Sequence, residues 1–321
     1  MKNIAIITGG NSAEYEISLQ SAQVVKANLC KEKYNSIIVH IKDDKWEALV
    51  EKESYEINQY DFSFLKGEKK VCFDLVFMAL HGPPAENGEL QIKLDKIGIP
   101  YSCCGAMESA ITFNKFKCNE YAKKLGFQCA ESYFYRKGEG IITEKILQKV
   151  GLPCFVKPNA AGSSFGVSKV EKKEELENAI HLALAHDNEV LIEQFIEGTE
   201  VSCGIFTHSE VEVFPLTEIV SHNDFFDFEA KYKGLSDEIT PARIPQTESR
   251  KVQEITKNIY QKMGLKGIVR IDFIIMKTIP YLIEINTIPG LSTESIIPKQ
   301  AKQAGYTLSE LFELTIENTM N

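Results

Sequence analysis

Residues 267–295, GIVRIDFIIMKTIPYLIEINTIPGLSTES, constrain the fold of this chain more than any other stretch. They read as two strands, 268–276 and 281–286, joined by a turn at 277–280. Side chains alternate between the two faces of a strand. The odd positions Val269, Ile271, Phe273, Ile275, Tyr281, Ile283 and Ile285 are apolar or aromatic and predict one buried face. Arg270, Asp272, Glu284 and Asn286 all occupy even positions. With the hairpin centred on Thr278, Asp272 lies opposite Glu284, and Arg270 opposite Asn286. Facing carboxylates destabilise a sheet unless a cation sits between them. Oxygen-only donors suit Mg2+, and Mg2+ held by few carboxylates usually accompanies phosphates. A solvated sheet face carrying an ion pair is the alternative reading of the same residues.

The chain has 321 residues, more than a single core comfortably holds, so two or three domains are expected. A net charge of −9 argues against general nucleic-acid or anionic-membrane binding. A phosphate ligand therefore needs local basic residues. No run approaches the roughly 20 apolar residues of a membrane span. The start, MKNIAIITGG, reads as a first buried strand running into a glycine turn, not as a signal peptide. Eight cysteines, including the adjacent Cys103 and Cys104, show no CxxC…CxxC pattern. Most of them are expected to be buried thiols in a reducing cytosol.

The first hundred residues alternate strand and helix signals. Strands are expected at 3–8, 36–41, 74–80 and 99–102, and helices at 18–30 and 90–97. This βαβ order predicts a parallel sheet, whose ligands bind at the carboxyl ends of the strands. Two polar turns sit there, 9–16 and 81–89. A second region opens with a helix at 115–125. Short strands at 152–157 and 167–170 flank a glycine- and serine-rich turn, followed by a helix at 174–185 and a strand at 190–195. Long strands begin near Glu200. The segment 221–241 is rich in Asp, Asn, Phe, Lys and Tyr. Its length without an apolar period suggests a functional loop, and its aromatics argue against disorder. Helices at 247–263 and 308–318 flank the opening hairpin.

Several residues in these turns are candidates for chemistry. Val156–Gly166, VKPNAAGSSFG, places Lys157 at the mouth of a turn whose glycines and hydroxyls can approach phosphate oxygens. It lacks the GxxxxGK[ST] of a Walker loop, and a plain hairpin turn with an exposed lysine is the competing reading. Lys115 and Lys231 are further candidate phosphate partners, against a background of solvated surface lysines. Glu193 and Glu200 can accept from ribose hydroxyls or an adenine amine, or simply mark a polar strand exit. Glu14, in the first strand-to-helix turn, can hold an ammonium group or act as a helix-entry acid. His81 follows a buried strand and precedes Gly82.

These pieces occur together in one order, and the chain resembles the D-alanine–D-alanine ligases of the ATP-grasp superfamily over essentially its full length. The segments that carry the resemblance are GGNSAEYEISLQS near the start, ALHG at 79–82, GLPCFVKPNAAGSSFGVSKV at 151–170 and LIEQFIEGTEV at 191–201. FFDFEAKY at 225–232, GIVRIDF at 267–273 and LIEINTIPGLSTESIIP at 282–298 complete them.

The resemblance implies a multidomain α+β and α/β protein with the ATP-grasp fold. Residues 1–108 would form a Rossmann-like parallel-sheet domain. Residues 109–199 would form a central ATP-grasp subdomain, and 200–321 a C-terminal one with a mobile loop at 221–241. ATP would lie between the two subdomains. By the same resemblance Asp272, Glu284 and Asn286 bind two Mg2+ ions, with Mn2+ as a possible substitute. Lys115, Lys157 and Lys231 contact the ATP phosphates, and Glu193 and Glu200 the adenosine. Gly162, Ser163 and Ser164 lie in the turn that covers the phosphates. Glu14 holds the first D-alanine's ammonium, with His81 near its carboxylate. Arg270 and the backbone of Gly290 form the oxyanion site, and Ser295 with Ile296 receives the second D-alanine's carboxylate. Hydrogen bonds among Glu14, Ser163 and Tyr232 close the loop. The implied partners are two D-alanine molecules and a second copy of the chain in a cytoplasmic homodimer, with no nucleic acid and no membrane.

Two positions after His81 depart from the family pattern. The segment usually reading HGxxGEDG is here HGPPAENG, with Ala85 for a glycine and Asn87 for an aspartate. Asn114 before Lys115 replaces a common Asp. The Ala85 and Asn87 departures motivate the alternative of a catalytically silent nucleotide-binding paralogue, while a ligase with another second substrate, such as D-serine, is the nearest alternative within the class. Tyr232 matches the dipeptide-forming members rather than those that form an ester with D-lactate.

Overall fold

A computed structural model describes residues 1–162, 165–221 and 236–320. Its first sheet is built around strand Lys2–Gly9, in which Ile4, Ala5, Ile6 and Ile7 are fully buried. An apolar run of that kind suits a parallel strand covered on both faces. It pairs in parallel with Tyr34–Lys42 on one side and Leu75–Met78 on the other. Leu90 and Leu94 of helix Glu89–Ile97 cover one face with Ile7, Val39 and Val76. Leu311, Phe312 and Ile316 of helix Leu308–Met320 cover the other, with the Phe312 ring 5.5 Å from that of Phe77. The end of the chain thus completes the core begun by its start.

The expected strand at 99–102 contracts to one bridge between Tyr101 and Val76. Strands Lys45–Val50 and Glu53–Glu56 extend the sheet in antiparallel fashion, and Ser63–Lys66 with Lys69–Cys72 makes a separate hairpin. The first two were not foreseen because Asp43 and Glu51, with φ of 50° and 56°, make their turns without the usual Asn-Gly signal.

The second sheet is antiparallel, in the order Ser168–Val170, Cys154–Pro158, Glu189–Gln194, Ser132–Arg136. Helices Thr143–Val150 and Leu176–Ala183 bury Ile146, Val150, Leu176 and Ile180 against it. Among the described residues the third sheet has six strands, with Thr199–Thr207 and Val269–Met276 at its centre. Helix Gln246–Lys262 covers it through Val252 and Ile259. The Leu282 amide donates to the Gln128 carbonyl at 2.8 Å and ties the segment entering the second sheet to the third.

The acidic hairpin forms, with a shorter turn than expected. Its strands are Val269–Met276 and Ile279–Asn286, so the turn is only Lys277 and Thr278, both at positive φ (48° and 68°). Near the turn Phe273 pairs with Leu282 and Ile274 with Tyr281, one residue off the expected register. A bulge beyond Phe273 restores it, so Asp272 faces Glu284 and Arg270 faces Asn286 as expected. Tyr281 therefore leaves the buried face assigned to it, and Leu282, 2% exposed, takes its place.

Candidate active site

A cleft of about 650 Å³ lies between the second and third sheets and is closed at one end by turns of the first. Glu14, His81, Lys115, Lys157, Gly162, Glu193, Glu200, Arg270, Asp272, Glu284, Asn286, Gly290, Ser295 and Ile296 all line it. The other four expected residues, Ser163, Ser164, Lys231 and Tyr232, lie outside the described residues.

On the hairpin, Asp272 is the hub. Arg270 Nε donates to its Oδ1 at 2.9 Å and Arg270 Nη2 to its Oδ2 at 2.8 Å, a bidentate pair. Asn286 Nδ2 donates to Oδ2 at 3.0 Å and the buried Ser202 hydroxyl to Oδ1 at 2.6 Å. Burial works against the charge on Arg270, but Asp272, Glu284 and Glu238 outweigh it and raise its pKa.

Opposite, the lysines are paired with carboxylates. Lys115 opens helix Lys115–Lys124, with its Nζ 3.1 Å from Glu284 Oε1 and donating to the Ala161 carbonyl at 2.8 Å. Asn114 caps that helix by accepting from the Lys117 amide at 2.9 Å, so Asn serves here where Asp is common. Burial opposes the charge on Lys115, yet Glu284, Glu193 and Glu86 together raise its pKa. Lys157 pairs with Glu193, whose other oxygen accepts from Asn119 Nδ2 at 2.5 Å. The Gly162 backbone lies so close to Glu14 that an added Cβ would meet Oε2 at 2.8 Å.

His81 is 3% exposed and its hydrogen bonds define its tautomer. Nδ1 faces the Ile288 carbonyl at 2.8 Å and must donate. Nε2 then accepts from Ser21 Oγ at 2.9 Å, and Ser21 Oγ accepts from the Leu291 amide at 3.1 Å. Burial lowers the His81 pKa against the pull of Glu14, and the ring is neutral. The chain of bonds also ties the Ile288–Leu291 turn, with Gly290, to the first helix. An added Cβ on Gly290 would meet Ser295 Oγ at 2.8 Å.

Sequence reasoning missed three contributors. Glu86 lines the cleft with its carboxyl pKa raised well above normal by burial, Glu14 and Glu284. Its signal was its place in the turn after a parallel strand. Ser202 and Asn119 act only through pairings of distant segments, which no local pattern reveals. The two departures are accommodated. Ala85 is fully buried and its carbonyl accepts from Gln91 Nε2 at 2.7 Å. Asn87 Oδ1 accepts from the Glu89 amide at 3.2 Å, as an aspartate would at this helix entry.

Among the described residues no group of three or more His, Cys, Asp and Glu could hold a metal ion. The hairpin set of two carboxylates and an amide nonetheless fits a hard cation by its chemistry. The carboxylates face each other in register and are already balanced by two cations, Arg270 on Asp272 and Lys115 on Glu284.

Two antiparallel sheets facing across a cleft, lysines on one side and an acid–amide hairpin on the other, define an ATP-grasp protein. Residues 3–104 match the family model for the D-ala D-ala ligase N-terminus, and residues 125–317 that for the C-terminus. The chain belongs to the D-alanine–D-alanine ligase family. It is 51% identical over 319 residues to the D-alanine–D-alanine ligase of Flavobacterium johnsoniae and 46% identical over 320 residues to that of Bacteroides fragilis, covering 99% of each chain. Among solved structures it resembles the VanG D-Ala:D-Ser ligase of Enterococcus faecalis (33% identity, 98% of both chains, TM-score 0.89). It also resembles the Bacillus anthracis D-alanine–D-alanine ligase complexed with ATP (27% identity, 100% of this chain and 98% of the other, TM-score 0.81).

Proposed function

We propose that this protein joins two D-alanine molecules into D-alanyl-D-alanine for peptidoglycan precursors, converting ATP to ADP and phosphate. The observation that carries the reading is the cleft itself. It sets Lys115 and Lys157 beside the Asp272–Glu284–Asn286 hairpin, with Arg270, Gly290 and Glu14 at the same opening.

A carboxylate is a poor acyl electrophile at neutral pH. The first D-alanine's carboxylate attacks the ATP γ-phosphorus, ADP leaves, and an acylphosphate results. Glu14 holds this substrate's ammonium, and the neutral His81 lies beside its carboxylate without adding charge. Lys115 and Lys157 offset phosphate charge during transfer, with Glu193 and Glu200 toward the adenosine. Asp272, Glu284 and Asn286 would hold Mg2+, which when bound supplies Lewis-acid neutralisation of the phosphates. The second D-alanine's free amine then attacks the acyl carbon. Arg270 and the Gly290 N–H stabilise the tetrahedral oxyanion, which collapses with loss of phosphate, the amine proton leaving with the phosphate. Ser295 and the Ile296 amide take the second carboxylate at the start of helix Ile296–Gln303. Lys231 would add to the phosphate contacts, and the turn of Gly162, Ser163 and Ser164, linked through Ser163 and Tyr232 to Glu14, would cover the site and exclude water.

The proposed units are 1–108, 109–199 and 200–321. One main sheet falling in each supports the division, with Thr199 at a boundary and helix Leu308–Met320 returning to the first. No helix among the described residues is long and apolar enough to cross a membrane. By the family resemblance, the proposed enzyme acts in the cytoplasm as a homodimer.

The test is ATP- and Mg2+-dependent phosphate release with D-alanine, run beside L-alanine, D-serine and D-lactate, with products identified by mass. D-alanyl-D-alanine as the main product is expected. ATP binding without release on any of the four would overturn the reading in favour of a silent paralogue.

A further inference from the structure

Helix Ile296–Gln303 buries Ile297 and Ala301 in the apolar core and one polar side chain, Gln300, against the third sheet. Strand Thr199–Thr207 pairs along one edge with two different strands. Thr217–Ser221 pairs as far as Ser202, and Val211–Val213 from Ile205 onward. The Ser202 carbonyl and the Gly204 amide fall in the gap between those pairings. Gln300 fills it as a peptide group would: Oε1 accepts from the Gly204 amide at 2.9 Å and Nε2 donates to the Ser202 carbonyl at 2.8 Å. Nε2 also donates to Thr217 Oγ1 at 3.0 Å. Buried backbone polar groups require such partners, so the helix has one seating that satisfies all three. Gly204 makes the seating possible, because a Cβ there would lie 2.5 Å from Gln300 Oε1 and 2.6 Å from Ile297 Cδ1.

Two functional groups hang from this joint. Gln300 lies one helical turn after Ile296, so it sets the direction of the amides at the helix start. On the strand, Ser202 holds Asp272 Oδ1, and Gly204 is the register partner of Arg270. We propose that Gln300 is a positioning residue that sets the dock for the second amino acid's carboxylate relative to Arg270 and Asp272, and so determines affinity for that substrate. The inference rests on the reading of Ser295 and Ile296 as that dock.

The test compares Gln300→Leu with the wild type. D-alanyl-D-alanine is titrated calorimetrically into the ADP- and Mg2+-loaded enzyme, ADP alone is titrated separately, and the D-alanine dependence of phosphate release is resolved into its two saturation phases. Dipeptide affinity should fall at least tenfold and the second-site KM rise in step. ADP affinity and the first-site KM should stay within twofold. A uniform loss across all four quantities, or none, would overturn the positioning role. Thr217→Val removes one of the three bonds with little change of shape, and serves should Gln300→Leu not fold. A selective two- to fourfold rise in second-site KM supports the role, and an unchanged second-site KM overturns it. A wild type that neither forms nor binds the dipeptide would sink the ligase reading itself. A wild type that binds it as tightly as Gln300→Leu would sink only the role of Gln300.

Discussion

The Lys115 ammonium stands 3.1 Å from the Glu284 carboxylate and donates at 2.8 Å to the Ala161 carbonyl, joining the acidic hairpin to the glycine-rich turn. Both side chains are largely enclosed, at 15% and 28% exposed. Water therefore screens the pair less than a surface ion pair. Burial, Glu14 and Glu284 push the Glu86 carboxyl in the same pocket well above the usual carboxylate range. Lys115 is thus the counter-charge of this acidic wall, and on the proposed reading it also meets the incoming polyphosphate.

Lys115→Met removes that counter-charge while keeping most of the stem. kcat/KM for ATP should fall by about 10²–10³, the range seen when one preorganised electrostatic contact is lost at a reacting centre. Steady-state phosphate release measures it. Retention of more than half the activity would show that Lys115 balances Glu284 but does not touch phosphate.

How much of this was legible in the sequence follows from what each residue answers to. Asp272, Glu284, Asn286 and Arg270 were placed on one face because strand alternation is local. Their cross-strand partners came out right although the turn is shorter than expected, since the bulge beyond Phe273 makes up the missing residue. Tyr281 was misplaced for the same reason: an inserted residue reverses the faces on one side of it only. Glu86 lies in one of the two polar turns, but the upward push on its carboxyl comes from burial and from Glu14 and Glu284, far away along the chain. Ser202 and Gln300 act through a sheet edge assembled from segments nearly a hundred residues apart, and no periodicity encodes that pairing.

Gly162→Ala tests how closely the phosphate turn approaches the first-substrate turn. A Cβ at this position meets Glu14 Oε2 at 2.8 Å, and the neighbour is the far end of a flexible side chain. The carboxylate can swing aside, so the fold should tolerate the change and Tm should move by less than about 2 °C. Glu14 would then leave the place where it meets the ammonium. The first-site KM for D-alanine should rise five- to twentyfold, with ATP affinity unchanged. Two-phase D-alanine kinetics give the answer, and an unaltered first-site KM would remove Glu14 from that role.

His81 gives the protein a pH-dependent stability whose sign follows from its bonds. The ring is neutral, donating to Ile288 and accepting from Ser21, and burial holds its pKa below the ordinary 6.5. A second ring proton would have to displace the Ser21 hydroxyl proton from Nε2. Glu14 pulls the other way and Arg270 adds to the depression, leaving a net lowering. In the unfolded chain the imidazole titrates near its ordinary value. Above that pH neither state binds the proton, and the neutral ring's full contribution is present. As pH falls from about 6.5 toward the depressed pKa, only the unfolded chain gains a proton. Stability is then lost at up to about 1.4 kcal/mol per pH unit. His81→Gln cannot titrate, although its amide can still reach one of the two partners. It should be less stable than the wild type at pH 7.5, with the difference narrowing steadily toward pH 5. Thermal unfolding of both proteins across that range measures the gap, and two parallel Tm–pH curves would show that His81 is not the titrating group.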